Sequence, residues 1–236
     1  MSPLLVAAAP HLPPSFTLSL GDLGAPSSIS SLMKVALVMT ALAVLPSILM
    51  MFTSFVRLIV VLHFLRQAMG TQNVPPNQVL VGLALMLTFF IMAPVGEQVY
   101  SQAVVPYQAG EMPGDQALQA GLAPVKEWML RNTRETDLTL FAGLGRIARP
   151  ASRAEIPLRI VMPAFLISEL KTGFQIGFLL FLPFLVIDLV VSSVLMSMGM
   201  MMLPPVIISF PFKILLFVMV DGWDLLIGSV VRSFAT

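Results

Sequence analysis

Charge is what this chain has least of. Lysine, arginine, aspartate and glutamate make up 11% of its 236 residues, against about 25% in a soluble domain. That leaves too little polar surface to cover a water-soluble particle of this size. A membrane or a large subunit interface must hide the remainder. Cysteine is absent, which excludes disulfides, thiolate metal sites and cysteine nucleophiles. The two histidines, His11 and His63, lie far apart in sequence and do not suggest a metal centre. The net charge of +1 indicates no nucleic-acid partner. No Gly-x-Ser-x-Gly elbow, P-loop or His-Glu-x-x-His occurs, so no enzyme and no bound cofactor is expected.

What is there is apolar, at 57% of all residues. Residues 1–31 hold a short apolar stretch, Leu4 to Ala9, and then a Pro-, Gly- and Ser-rich lead-in. They resemble the remnant of a signal sequence, but the first basic residue is Lys34, and a signal needs a basic start. Residues 32–96 read as an apolar helical hairpin. Its first run, Val35 to Val56, carries no charge and exceeds the ~20 residues that cross a bilayer core. Pro46 in its middle predicts a kink or break. Its second run goes from Val79 to Val95. Residues 160–236 read as another hairpin, from Ile160 to Leu195 and from Val206 to Val231, with Pro183 inside the first run. The fold class expected is all-α: about four membrane-associated apolar segments, kinked at prolines, plus a small polar domain.

That polar domain is residues 97–159. Seven acidic and seven basic residues fall there, more than half of all the charge. A helical pattern over Val125 to Leu144 marks Trp128, Leu130, Leu138 and Phe141 as buried. The Lys/Arg rule for short loops uses Arg57 and Arg66 to put the first connection in the cytoplasm. The polar segment and both termini would then lie outside.

Two constellations stand out. Glu169, Asp188 and Lys213 are ionisable groups in apolar runs, where exposure to lipid costs at least about 2.5 kcal/mol. Pairing or a polar interior is expected for them, Asp188 included, whereas Lys171 and Asp221 suit segment ends. The second is a methionine cluster, Met196, Met198, Met200, Met201 and Met202, within a chain holding 17 methionines. Flexible thioethers could seal a pore around a passing chain. They could also fill gaps between helices, or bind Cu(I). A small-solute or Cu(I) transporter is therefore one alternative. An intramembrane aspartyl hydrolase using Asp188 and Asp221 is another. Gly173 and Gly177 have the spacing of a close helix contact.

Longer motifs point to a family. Met51-Phe-Thr-Ser-Phe-Val-Arg-Leu-Ile-Val-Val-Leu62, Leu65-Arg-Gln-Ala-Met-Gly-Thr-Gln72 and Pro75-Pro-Asn-Gln-Val-Leu-Val-Gly-Leu-Ala-Leu85 resemble the FliP family of flagellar export proteins. So do Phe165-Leu-Ile-Ser-Glu-Leu-Lys-Thr-Gly-Phe-Gln-Ile-Gly177 and Phe212-Lys-Ile-Leu-Leu-Phe-Val-Met-Val-Asp-Gly-Trp223. The resemblance, which extends to the injectisome relatives, runs from about Met33 to Phe234. It implies a pore-forming subunit of a type III export gate in the bacterial inner membrane, with much of the chain on the periplasmic side. It implies a homo-oligomer of five copies, FliR-like and FliQ-like subunits, FlhB-like and FlhA-like components, and unfolded flagellar proteins as cargo. By the same resemblance Met200, Met201 and Met202 form a gasket, flanked by Met196 and Met198. Glu169 and Lys213 pair between subunits. Trp128 and Phe141 sit at subunit interfaces.

Overall fold

The structure, a computed structural model, describes residues 26–71, 74–146, 152–200 and 203–234. It divides into two compact units, Met1–Pro46 and Ser47–Thr236. In the first, the helix that opens as α1 (Pro26–Met51) exposes every residue from Met33 to Val44. The second unit holds α2 (Phe55–Ala68) and α3 (Asn77–Val99), which continues through a π turn, Tyr100–Val104, into α4 (Val105–Gln108). Then come α5 (Gly114–Arg131), α6 (Glu135–Leu144), a 3-10 turn (Arg153–Glu155), α7 (Leu158–Ser197), α8 (Pro205–Met219) and α9 (Gly222–Arg232). No strand occurs among the described residues, and the fold is all-α as expected.

Proline sets many of the helix starts. Pro76, Pro113, Pro157 and Pro204 are the residues just before α3, α5, α7 and α8. A proline there has the right φ, and its carbonyl accepts the first helical bond. The amides of Leu80, Ala117 and Val161 bond in this way to Pro76, Pro113 and Pro157. Pro94, Pro124, Pro163, Pro183 and Pro211 lie inside helices without ending them. Neighbouring helices can compensate for the lost bonds.

The axis of the second unit is α2 packed on α7. Gly173 and Gly177 sit against Val60 and Phe64 of α2, so close that a Cβ on Gly177 would lie 2.5 Å from Phe64 Cγ. Both pairs repeat at four residues, one helical turn, so the small-residue stripe meets a matching ridge. On one side Leu58, Leu62 and Leu65 pack with Leu80, Phe184 and Phe217. On the other, Trp128, Leu138, Ile160 and Phe165 form a second cluster. The polar segment thus folds onto the N-terminal part of α7, inside the same compact unit.

Several boundaries differ from those expected. The first apolar run breaks at residues 52–54, after Pro46, and Arg57 lies within α2 rather than in a connection. Arg57 is 3% exposed, so it carries no topological signal. The Val125–Leu144 pattern is two helices, separated at Asn132–Arg134. The last apolar run is bent by 65° between α8 and α9. The bend sits at Asp221, whose φ of 51° is left-handed, a state that a short polar side chain tolerates better than most. Of the apolar segments, two described helices are long and apolar enough to cross a membrane, Asn77–Gln108 and Leu158–Ser197. A third counts only if α8 and α9 act as one.

Candidate functional site

Two of the buried charged residues, Arg57 and Glu169, meet where α2, α7 and the end of the chain come together. Arg57 grips Glu169 through both of its guanidinium edges: Nε donates to Oε2 at 2.9 Å, and Nη2 to Oε1. Its remaining nitrogen donates to the carbonyl and hydroxyl of Ser233, at 3.0 and 2.8 Å. The Phe234 ring covers the guanidinium, 3.7 Å from its carbon. Phe234 in turn stacks on Trp128, and Trp128 meets the edge of Phe165. Glu169 is fully buried. Two such charges are tolerable in a low dielectric because both carboxylate oxygens and all three guanidinium nitrogens have a hydrogen-bond partner. This hub joins α2, α5, α7 and the segment after α9.

A second ion pair lies further along α7. Lys213 of α8 donates to Asp188 at 2.7 Å and to the Ala68 carbonyl at 3.0 Å. The hydroxyl of Ser209, one turn earlier on α8, also donates to Asp188. Lys213 is 2% exposed, and the Asp188 side chain 22%.

A third cluster fixes the polar helices. Asp137 of α6 accepts from Ser168 at 2.7 Å and from Lys171 of α7. Burial alone would raise its carboxyl pKa, but the bonds from Lys171 and Ser168, with the charges of Lys171 and Arg134, outweigh it and hold the group below its ordinary value. The backbone amide of Arg134 donates to Ser168. Its side chain donates to Thr172 at 3.0 Å.

The methionine segment closes the hairpin between α7 and α8. Gly199, at φ 76°, stops α7. Its amide bonds to the Met196 carbonyl and that of Met200 to the Leu195 carbonyl, both at 3.0 Å. These are the two bonds of a Schellman cap, in which glycine is favoured because φ is positive. Met196 and Met198 are about 60% exposed and Met200 37%. Met201 and Met202 lie outside the described residues.

Within one chain Glu169 and Lys213 do not meet, since each has its own partner. Trp128 is 5% exposed, inside the second core, with the half-buried Phe141 packed beside it. Gly173 and Gly177 contact α2 of the same chain. Asp188 is committed to Lys213, while Asp221 is exposed at the helix bend. Arg57, Asp137 and Ser209 are absent from the sequence-based site. A cation near the start of the apolar α2 is the one signal for Arg57, and it reads as a flank. The other two carry no signal in the sequence.

These features define a class: an all-helical membrane subunit with charges turned inward and apolar helix faces left for lipid or neighbours. A profile of the FliP family matches residues 38–230. The chain is 53% identical over 209 residues to flagellar biosynthetic protein FliP of Bacillus subtilis (strain 168), covering 89% of this chain and 95% of that protein. It is 55% identical over 196 residues to its counterpart in Pectobacterium carotovorum subsp. carotovorum, covering 83% and 76%. Against that of Caulobacter vibrioides it is 57% identical over 196 residues, covering 83% and 74%. The chain therefore belongs to the FliP family, which comprises flagellar export-apparatus subunits and not enzymes.

Proposed function

We propose that the chain is a core pore-forming subunit of the flagellar type III export gate. It conducts unfolded flagellar proteins across the inner membrane and is closed by its methionine segment. The observation that carries this reading is the α7–α8 hairpin, which holds Met196, Met198 and Met200 exposed at a glycine-capped tip. Thioethers presented that way can exclude water and ions yet yield to a polypeptide. Met201 and Met202 complete the gasket. The exposed apolar faces, among them Phe174, Phe178 and Leu179 of α7, support burial against other subunits. Five copies assemble with FliR-like and FliQ-like proteins, and FlhA-like and FlhB-like components supply cargo. Much of the assembly lies on the periplasmic side of the bilayer.

Glu169 and Lys213 pair across subunits in this reading, but the single chain sets a condition. Both are closed off, at 0% and 2% exposed, and both oxygens of Glu169 are engaged by Arg57. Lys213 uses two of its three donors, so one remains for a neighbour. An inter-subunit bridge therefore requires the Arg57 grip to loosen during assembly. Trp128 and Phe141 shape the ring contact through the packing of α5 and α6.

The test is export. Deleting the gene should stop secretion of hook and filament proteins while leaving them inside the cell, and expressing this chain should restore it. The chain should also co-purify with the FliR-like and FliQ-like proteins as one complex. A stable monomer that restores export alone would overturn the reading.

A further inference from the structure

The outermost polar tie of the α7–α8 hairpin lies one turn beyond the core contact of Phe184 with Phe217. Lys213 bonds Asp188 on one arm while its ammonium sits on the carbonyl of Ala68, the last residue of α2. An ammonium is favoured there by the helix dipole and by an otherwise orphaned carbonyl. Next to it Gly70 has a φ of 77°, and a Cβ there would lie 3.2 Å from Val206 Cγ1. The end of α2 thus abuts α8 directly. Ser209 completes the tie from α8 to Asp188.

Beyond that level the hairpin has little support. From Asp188 to Met198 is ten residues, about 15 Å of helix, and from Lys213 back to Pro205 eight residues, about 12 Å. Val190, Val194, Met196 and Ile207 along these arms are between 50% and 68% exposed. An open apolar groove of about 470 Å³ separates the arms, lined by Val190, Val194, Ile208 and Phe212 among others. Among the described residues of α7 past Asp188, Leu195 alone is buried.

We propose that Asp188, Lys213 and Ser209, seated on the C-terminal carbonyl of α2, form the pivot that positions the methionine segment. Asp188 is its positioning residue: it is the bond by which α7 holds the lysine. Removing its charge leaves Lys213 bound to α2 and frees the outer part of α7. The pivot follows from the geometry. Its consequence for closure rests on the gate reading above.

The absence of cysteine allows a clean test. Gln67→Cys in the last turn of α2 and Leu203→Cys in the hairpin loop provide the chain's only thiols, which take nitroxide labels before the chain is assembled with its partners. Labelled chains are diluted among unlabelled ones in the native complex, and the label-to-label distance distribution is measured by pulsed electron paramagnetic resonance. Asp188→Asn should broaden the distribution without changing the mass of the complex. It should also raise the leak conductance of the closed gate about tenfold. Asp188→Glu should keep the distribution narrow, and Ser209→Ala should broaden it less. A distribution for Asp188→Asn as narrow as the parent's would overturn the pivot, as would equal broadening by Asp188→Glu. Broadening with unchanged conductance would retain the pivot and contradict the gate reading. Should Asp188→Asn fail to assemble, the narrow or broad outcome for Ser209→Ala decides.

Discussion

The two halves of α7 live in different surroundings although they are one helix of similar apolar character. Of its first twenty residues, Leu158 to Gly177, eight are buried, and of the last twenty only Phe184 and Leu195 are. The first half also meets Arg57, Arg134 and Asp137 through Glu169, Thr172, Ser168 and Lys171. The second half has one ionic contact, at Asp188. The first half is thus a built core with its buried charges paired, and only Phe174 among its large apolar residues is exposed. The second is an apolar surface awaiting a partner. Hydrophobicity alone does not distinguish the two. The difference comes from what other elements bring to each half: α2, α5 and α6 in the first case, and in the second α8 and the edge of the α2 core around Phe184.

Substitutions can break or sharpen that contrast. The largest effect is expected at the hub. Arg57→Leu leaves Glu169 buried and unpaired, and should cost about 3–5 kcal/mol, read as loss of monodisperse complex in detergent and an earlier unfolding midpoint. Arg57→Met with Glu169→Leu should recover much of it, because an apolar pair can replace a buried ion pair at little cost. Recovery by Arg57→Glu with Glu169→Arg, but not by Glu169→Lys with Lys213→Glu, would mark the intrachain bridge as the one that matters. The reverse pattern would mark exchange between subunits.

The next pair compares the halves directly. Phe165→Ala removes a ring with no exposed surface and should destabilise by about 3–5 kcal/mol. Phe178→Ala, 60% exposed, should change stability of the unassembled chain by no more than about 0.5 kcal/mol yet reduce the yield of assembled complex. Equal effects on the unassembled chain would contradict the division. Smaller is Gly177→Ala, which drives a methyl into Phe64 and should cost about 1–3 kcal/mol, measured by the same unfolding midpoint.

The smallest effect concerns pH. The folded-state pKa of Asp137 lies below its ordinary 3.8. Its contribution is therefore complete above that ordinary value and is lost as pH falls through the lower folded value. The hydrogen-exchange protection factors of α6, which remove the intrinsic pH dependence of amide exchange, should be unchanged from pH 7 to 5 and fall in strong acid. Asp137→Asn should remove that acid dependence.

Much of this architecture is legible in the residues. The apolar runs, the polar segment and the buried positions Trp128, Leu130 and Leu138 follow from composition and helical period. The helix starts after Pro76, Pro157 and Pro204 are readable from proline's fixed φ. The buried bridges are not. Arg57 and Glu169 are 112 residues apart, and nothing local in either segment names the other. A basic residue at the start of an apolar helix looks like a flank until its partner is known. The bend at Asp221 is equally hidden, because only a left-handed φ at one residue separates α8 and α9 from a single span. The family resemblance rests on motifs in α2, at the start of α3, in the first half of α7 and across α8 and α9, and so it marked Glu169 and the methionines but not the Arg57 and Asp188 bridges.

The claim that unites the hairpin, its pivot and the family is that the methionine segment closes a pore. The most direct measurement is single-channel conductance of the complete complex in a planar bilayer without cargo. With Met200, Met201 and Met202 all changed to Ala, the account predicts a steady ion leak where the parent complex is silent. A complex of unchanged mass that stays silent with all three replaced would contradict it.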